Sequence, residues 1–351
     1  MQENHTFKTA KVPLANLAGA RSFPLPSMPK KATEPAQTPA SNQVAAEVQG
    51  TALHAVSAVA EPAAPVLPPL TPQRYPMGQA FGFPDIPAQY LIEGNAPGHP
   101  FAPKASEDYE FKRADLRDLL AFWEEGLTAL KIEGDPATGK SSLVIEFHAR
   151  LHWPLYMLSA SQETEARHIF GQLLPDTQGR LRWVDGPALR AAREGTSFLV
   201  DEGNLLDPNI ASSLNLLSEG NPYDIPETGE RVIPKRGFRL FWTENPVDSR
   251  LLVAGRMQQD VASDDRFMIL KTDYMPAEQE IRIIKAALIR QGQQEAQAHL
   301  VASQVVGIAN KTREAYRNGE AAIDHPMSTR AALRWARLIC RFRGIKPQDG
   351  G

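Results

Sequence analysis

Residues 134–141 read Gly-Asp-Pro-Ala-Thr-Gly-Lys-Ser, and that spacing has a definite chemical use. The two glycines let the backbone curl until successive N–H groups point inward, and a helix beginning at the second adds its partial positive charge. Such a cradle holds phosphate oxygens, while the lysine and hydroxyl next in line supply an ammonium for the terminal phosphates and a metal ligand. The apolar run Ala129-Leu130-Lys131-Ile132 before the loop, and Leu143, Val144 and Phe147 after it, predict the strand and helix that this motif requires on its two sides. The expected nucleotide contacts are therefore Gly134, Asp135, Pro136, Ala137, Thr138, Gly139, Lys140, Ser141 and Ser142. Lys140 is expected to reach the β- and γ-phosphates of ATP, and the Ser141 hydroxyl to hold Mg2+.

A second chemical signal lies about sixty residues downstream. Ser197-Phe198-Leu199-Val200-Asp201-Glu202 is an apolar run that ends in two carboxylates. Alone it reads as a strand followed by a solvated turn. Coupled to the phosphate loop, Asp201 is expected beside the Mg2+ held by Ser141, and Glu202 is expected to act as the general base toward water.

The elements that must position these groups alternate along the chain. Strands are predicted at Thr128–Glu133, Leu155–Ala160, Ser197–Asp201, Phe238–Thr243 and Phe267–Lys271. Helices are predicted at Ser141–Leu151, Glu163–Leu174, Pro187–Glu194 and Pro208–Ser218. Alternation of this kind predicts an α/β class fold, a three-layer αβα P-loop core around a five-stranded parallel sheet. Residues 111–275 are assigned to that core. Residues 276–345 are wholly helical in pattern, with Ile281, Ile284, Ala287 and Leu288, then Ala331, Leu333, Ala336 and Ile339, forming apolar faces; they predict a smaller α-helical lid. Residues 1–74 are rich in Pro and Ala and read as a disordered linker, since prolines remove donors and few large apolar groups offset ordering. Residues 75–110, where aromatics return, read as an arm that packs on the core.

Composition narrows the function classes. The 351-residue chain is 42% hydrophobic and 23% charged with a formal net charge of -3, an ordinary globular balance with no overall attraction to polyanions. One cysteine, Cys340, cannot close an intramolecular disulfide. No run approaches the length of a membrane-spanning helix and the first twenty residues lack an apolar core, so a cytoplasmic protein is expected.

With the two acidic and phosphate-binding signals placed, residues 81–337 resemble the MoxR-type AAA+ ATPases, and within them are most similar to the cobaltochelatase ATPase subunit, CobS. The residues that carry the likeness are PDIPAQYLI (84–92), LHWPLYMLSAS (151–161), a hairpin and Gly-Pro step between His168 and Pro187, a second hairpin at Tyr223–Pro234, and FRLFWTEN ending at Asn245. Gly203, directly after the acidic pair, departs from the usual pattern. The resemblance implies that Asn245 senses the γ-phosphate or the attacking water. It implies that Arg266, in Asp265-Arg266-Phe267, reaches the ATP of a neighbouring subunit, with Arg250 and Arg256 as alternatives, and that Arg330 touches nucleotide from the lid. It also implies a ring, hexameric in this family, that remodels or assembles a client, and a von Willebrand factor A-type partner. A DNA-directed AAA+ motor and a nucleotide-gated assembly factor are the alternatives. Catalytic roles thus fall on Glu202, Asn245 and Arg266; nucleotide binding falls on residues 134–142, Asp201 and Arg330; Mg2+ falls on Ser141 and Asp201.

Other signals are read as structural. His148 and His152 stand four apart on one predicted helix, but the residues between them, Ala149-Arg150-Leu151, lack the glutamate of a His-Glu-x-x-His motif, and no nearby cysteine supplies a further ligand. Trp123, Trp153, Trp183, Trp242 and Trp335 are read as packing residues, and the basic lid as a solvated face.

Overall fold

The computed structural model describes residues 67–245, 265–320, 323 and 325–342. An arm opens the described chain: β1 (Pro72–Pro76), the short α1 (Met77–Phe81) and β2 (Leu91–Asn95), with β1 and β2 antiparallel. β1 starts inside the stretch read as linker, because Tyr75 seats its hydroxyl on the Asn95 carbonyl at 2.7 Å and packs against the core. α2 (Arg113–Glu124) leads into the α/β core: β3 (Ala129–Glu133), α3 (Lys140–Arg150), β4 (Leu155–Ser159), α4 (Ala166–Ile169), β5 (Gly171–Pro175), β6 (Leu181–Asp185), α5 (Pro187–Glu194), β7 (Ser197–Asp201), α6 (Pro208–Ser213), α7 (Asn215–Ser218), β8 (Tyr223–Asp224), β9 (Arg231–Val232), β10 (Arg239–Glu244) and β11 (Met268–Lys271).

The main sheet is parallel throughout, in the order β11-β3-β10-β7-β4. Its strands are apolar on both sides, as a sheet sandwiched between helical layers demands. Period-two alternation sends successive residues to opposite layers. Phe198, Val200, Leu240 and Trp242 join the cluster that includes Leu189 of α5, while Leu199, Phe241, Leu130 and Ile132 join the one that includes Leu119 of α2 and Phe147 of α3.

The lid comprises α8 (Ala277–Arg290), α9 (Glu295–Arg317) and α10 (Thr329–Phe342), packed around Ile284, Leu288, Val301, Val305, Ala332 and Ala336. A buried bidentate pair, Arg313 to Glu280 at 2.7 and 2.8 Å, ties α9 to α8. Neither partner is more than 4% exposed, so removing one would strand a charge in the lid interior.

Three expectations need correction. The predicted helix Glu163–Leu174 ends at Ile169, and the chain turns into the hairpin that the resemblance implies between His168 and Pro187. Gly171, at φ 132°, takes a conformation closed to other residues, and an added Cβ would meet the Val184 carbonyl at 2.3 Å. Asp176 then closes the turn by accepting from the Gln178 and Arg180 amides. The predicted Pro208–Ser218 helix is broken at Leu214 into two short ones. On α10 the buried face is centred on Ala332 and Ala336, leaving Ile339 and Trp335 exposed at 41% and 48%. Trp335 is thus no core residue, whereas Trp123, Trp153 and Trp242 are buried. Arg250 and Arg256 lie outside the described residues. No described helix is long and apolar enough to cross a membrane.

Candidate functional site

The chemistry converges at the C-terminal edge of the parallel sheet, where β3, β10 and β7 end side by side. Because β10 lies between the other two, its end delivers Asn245 into the gap between the phosphate loop and Asp201. Strand order, then, is what assembles the site.

The phosphate loop runs from the end of β3 to Gly139, the residue before α3. Ala137 (φ 71°) and Gly139 (φ 91°) are both left-handed, and a non-glycine residue held there stores backbone strain of about 1–3 kcal/mol, a cost that accumulates at functional loops. Gly134 is required for another reason: a Cβ on it would stand 2.4 Å from the Thr272 carbonyl. Lys140 is buried, and its Nζ donates to the carbonyls of Gly134 (2.8 Å) and Asp135 (3.0 Å) and to Asn245 Oδ1 (2.7 Å). An ammonium in such a place is aimed at the mouth of the loop, held by oxygens that a phosphate can replace.

Ser141 Oγ donates to Asp201 Oδ1. Thr243 Oγ1 donates to that same oxygen at 2.6 Å and accepts from the Glu202 amide at 3.1 Å. Glu202 sits at φ 56°, so the chain turns sharply after Asp201 and leaves the Glu202 carboxylate exposed at the cleft rim. Gly203 follows with no room for a side chain, since a Cβ would lie 2.1 Å from the Trp242 ring; this accounts for the unusual glycine. Asn204 Nδ2 in turn holds the Asn245 carbonyl at 2.8 Å.

These groups line one end of a cleft of about 670 Å3 between core and lid. The lining also carries the apolar groups of Tyr109, Ile145, Met275, Ile283 and Leu333, alongside Asp108, Glu110, Lys112 and Glu146. Charged and apolar groups lining one cleft suit a ligand with a phosphate tail and a flat base. A hydroxyl and a carboxylate in contact form the all-oxygen donor pair that a hard cation takes together with phosphate oxygens and water. Among the described residues no group of three or more His, Cys, Asp or Glu is placed to hold a metal alone.

Most expected site residues meet here. Residues Pro136 to Ser142, Asp201, Glu202, Asn245 and Arg330 all line the cleft, and Arg330 Nη2 donates to Ser142 Oγ at 2.9 Å. Arg266 does not line it; its Nε donates to Glu219 Oε1 at 2.6 Å on the surface of the same chain. His148 is fully buried among Trp123, Phe147 and Phe241, its Nδ1 2.7 Å from the Val144 carbonyl, and burial drives its pKa down to about 3. It is a packing residue. Sequence reasoning missed Thr243, Tyr274 and Arg317. Tyr274 donates to the Pro136 carbonyl at 2.9 Å and Arg317 to Asp135 Oδ2 at 2.8 Å. Only Thr243 left a local trace, as a polar residue near the end of an apolar strand.

Residues 130–267 match the family described as AAA domain (dynein-related subfamily). The chain is 29% identical over 246 residues to the denitrification regulatory protein NirQ of Stutzerimonas stutzeri, covering 69% of this chain and 80% of that protein. It is 27% identical over 259 residues to the aerobic cobaltochelatase subunit CobS of Sinorhizobium sp, covering 72% and 76%. A midasin of Giardia intestinalis is 32% identical over 142 residues, 40% of this chain but 3% of that much longer protein.

Proposed function

With an AAA domain of the dynein-related subfamily in a MoxR-type chain, this protein is an ATP-hydrolysing enzyme, and we propose that it works as a subunit of a ring that spends ATP to remodel or assemble a client protein complex. One observation carries the catalytic half of that reading: Thr243 joins Asp201 to the Glu202 amide while Ser141 meets Asp201, so the metal-side and water-side acids are set by one hydroxyl.

The roles follow from position. The loop amides of residues 134–141 and the Lys140 ammonium hold the phosphates. Ser141 and Asp201 would hold Mg2+, which would supply charge neutralisation to the phosphate oxygens. Asn245, already touching the Lys140 ammonium, orients water against the terminal phosphate, and the exposed Glu202 takes its proton. Arg330 closes on the nucleotide from the lid. Arg266, outside its own cleft, serves the cleft of the next subunit.

The remodelling half is supported by two exposed hairpins. β5–β6 presents Leu173, Leu174 and Leu181 to solvent, and Ile233 stands 66% exposed beyond β9. Exposed apolar residues of this sort suit contact with another chain. A relative named as a cobaltochelatase subunit supports a partner complex, with a von Willebrand factor A-type protein as the partner class, a hexameric ring and a cytoplasmic location completing the proposal.

The test is steady-state ATP turnover of the wild type and Glu202→Gln, with and without duplex DNA. The expected result is measurable wild-type turnover, a loss of at least about a hundredfold in the variant, and no response to DNA. Turnover that appears only with DNA would move the protein to the motor class. Negligible wild-type turnover in the presence of Mg2+ would leave a nucleotide-gated assembly factor.

A further inference from the structure

The lid touches the phosphate loop from behind as well as across the cleft. Tyr274 lies between β11 and α8, in the linker that joins core to lid. Its ring is flanked by two arginines of α9, with Arg313 Cζ 4.8 Å and Arg317 Cζ 4.9 Å from the ring centre. Arg313 is fixed there by the buried pair with Glu280 and by a 2.9 Å bond to the Met327 carbonyl. Arg317 forks, with Nε on Asp135 Oδ2 at 2.8 Å and Nη2 on Asp273 Oδ1 at 2.5 Å. The Tyr274 hydroxyl reaches the Pro136 carbonyl at 2.9 Å. From the core side, Lys112 Nζ donates to the Asp273 carbonyl and pins the same linker.

Two consecutive phosphate-loop residues are therefore gripped by groups that do not line the cleft. Asp135 is held by its side chain and Pro136 by its carbonyl, immediately before Ala137, the left-handed residue that gives the loop its curl. A strained turn persists only where its surroundings over-determine it. The Arg313–Tyr274–Arg317 stack supplies that determination, and its planar cations bind the ring and carboxylates in fixed directions that a lysine would not reproduce.

We propose that Tyr274 and Arg317 are positioning residues of the phosphate loop, setting its phosphate-accepting shape from the lid, so that lid and loop move as one body. The inference rests on the reading of this cleft as a nucleotide site. It differs from simple lid docking, which would hold the two parts together without altering the loop's affinity for phosphate.

The experiment titrates the 351-residue chain and its variants with a fluorescent ADP analogue, and records the melting temperature without nucleotide. Tyr274→Phe keeps the ring between the arginines and removes only the hydroxyl. Arg317→Ala removes the fork. Each is expected to weaken ADP binding about three- to tenfold, the scale of one lost hydrogen bond or ion pair, with the nucleotide-free melting temperature almost unchanged. Arg317→Lys should recover part of the loss. Adding Asp135→Asn to Arg317→Ala should weaken binding no further, because both act through one contact. A fall in melting temperature with unaltered ADP affinity would reduce the contacts to docking and overturn the proposal. A wild-type chain that binds no ADP would remove the nucleotide reading and this inference together, whereas a binding wild type with equally binding variants removes this inference alone.

Discussion

Thr243 joins the Asp201 carboxylate to the Glu202 amide, and its substitution is expected to separate binding from chemistry. Valine has nearly the same shape but lacks the oxygen that donates to Asp201 and accepts from the Glu202 amide. Lys140 and the loop amides are untouched by that change. Thr243→Val should therefore lower kcat about tenfold, equivalent to about 1.4 kcal/mol of barrier, while the dissociation constant for ATP stays within about threefold. Single-turnover hydrolysis with separate binding titrations would check this; equal loss in both would mean that Thr243 supports the loop itself. At this scale the sequence was legible wherever a residue's meaning is local. Lys140, Ser141, Asp201 and Glu202 announce themselves because a strand end, a glycine and a helix start are written within a few residues. Thr243, Tyr274 and Arg317 were not legible, because their meaning comes from a strand neighbour or a lid helix more than 40 or 130 residues away.

Elements were read well where hydrophobic period and length agreed, and poorly where a short segment fitted two periods. The five sheet strands fall within a residue or two of their expected spans because buried parallel strands are continuous apolar runs bounded by polar ends. His168 to Leu174 also fits a helical face, and there Gly171 and the pairing partner Leu181–Asp185 decide the outcome, neither of which a local window weighs. The turn after β7 shows what an element can demand of one residue. Trp242 fills the space beside Gly203, with its Nε1 donating to Glu244 Oε2 at 2.8 Å, so the indole cannot swing aside without losing a bond. Gly203→Ala should cost about 1–3 kcal/mol as overpacking and also depress turnover, since Glu202 is the adjacent residue. Urea midpoints and turnover measured on the same preparation test it. An unchanged midpoint would show that the turn yields freely and that Trp242 does not constrain it.

For the molecule as a whole, the buried His148 ties stability to pH. Burial holds its pKa near 3, against about 6.5 when the chain is unfolded. The unfolded state thus binds a proton that the folded state refuses, so stability is fully present above about pH 6.5 and is lost as pH falls toward 3. His148→Leu should lose about 2 kcal/mol less than the wild type between pH 7.5 and 5, measured by urea unfolding, and parallel losses would assign the acid sensitivity elsewhere. Assembly poses the larger question, and the proposed ring assigns Arg266 a definite part in it. It sits on Glu219, away from its own cleft, so Arg266→Ala should leave ATP affinity unchanged and still slow turnover. If each site joins Glu202 of one subunit to Arg266 of the next, an inactive Arg266→Ala chain and an inactive Glu202→Gln chain carry complementary halves. Refolded together in equal amounts, random neighbours would form about a quarter of their interfaces with both intact groups, and turnover should recover toward a quarter of wild type. The double variant mixed with wild type is the control, because it also dilutes the ring but pairs the defects differently: there too about a quarter of interfaces stay intact, whereas the double variant mixed with either single variant restores none. A mixture of the two single variants that stays at the sum of its inactive parts would place Arg266 outside the shared site and leave the arginine to be sought elsewhere in the chain.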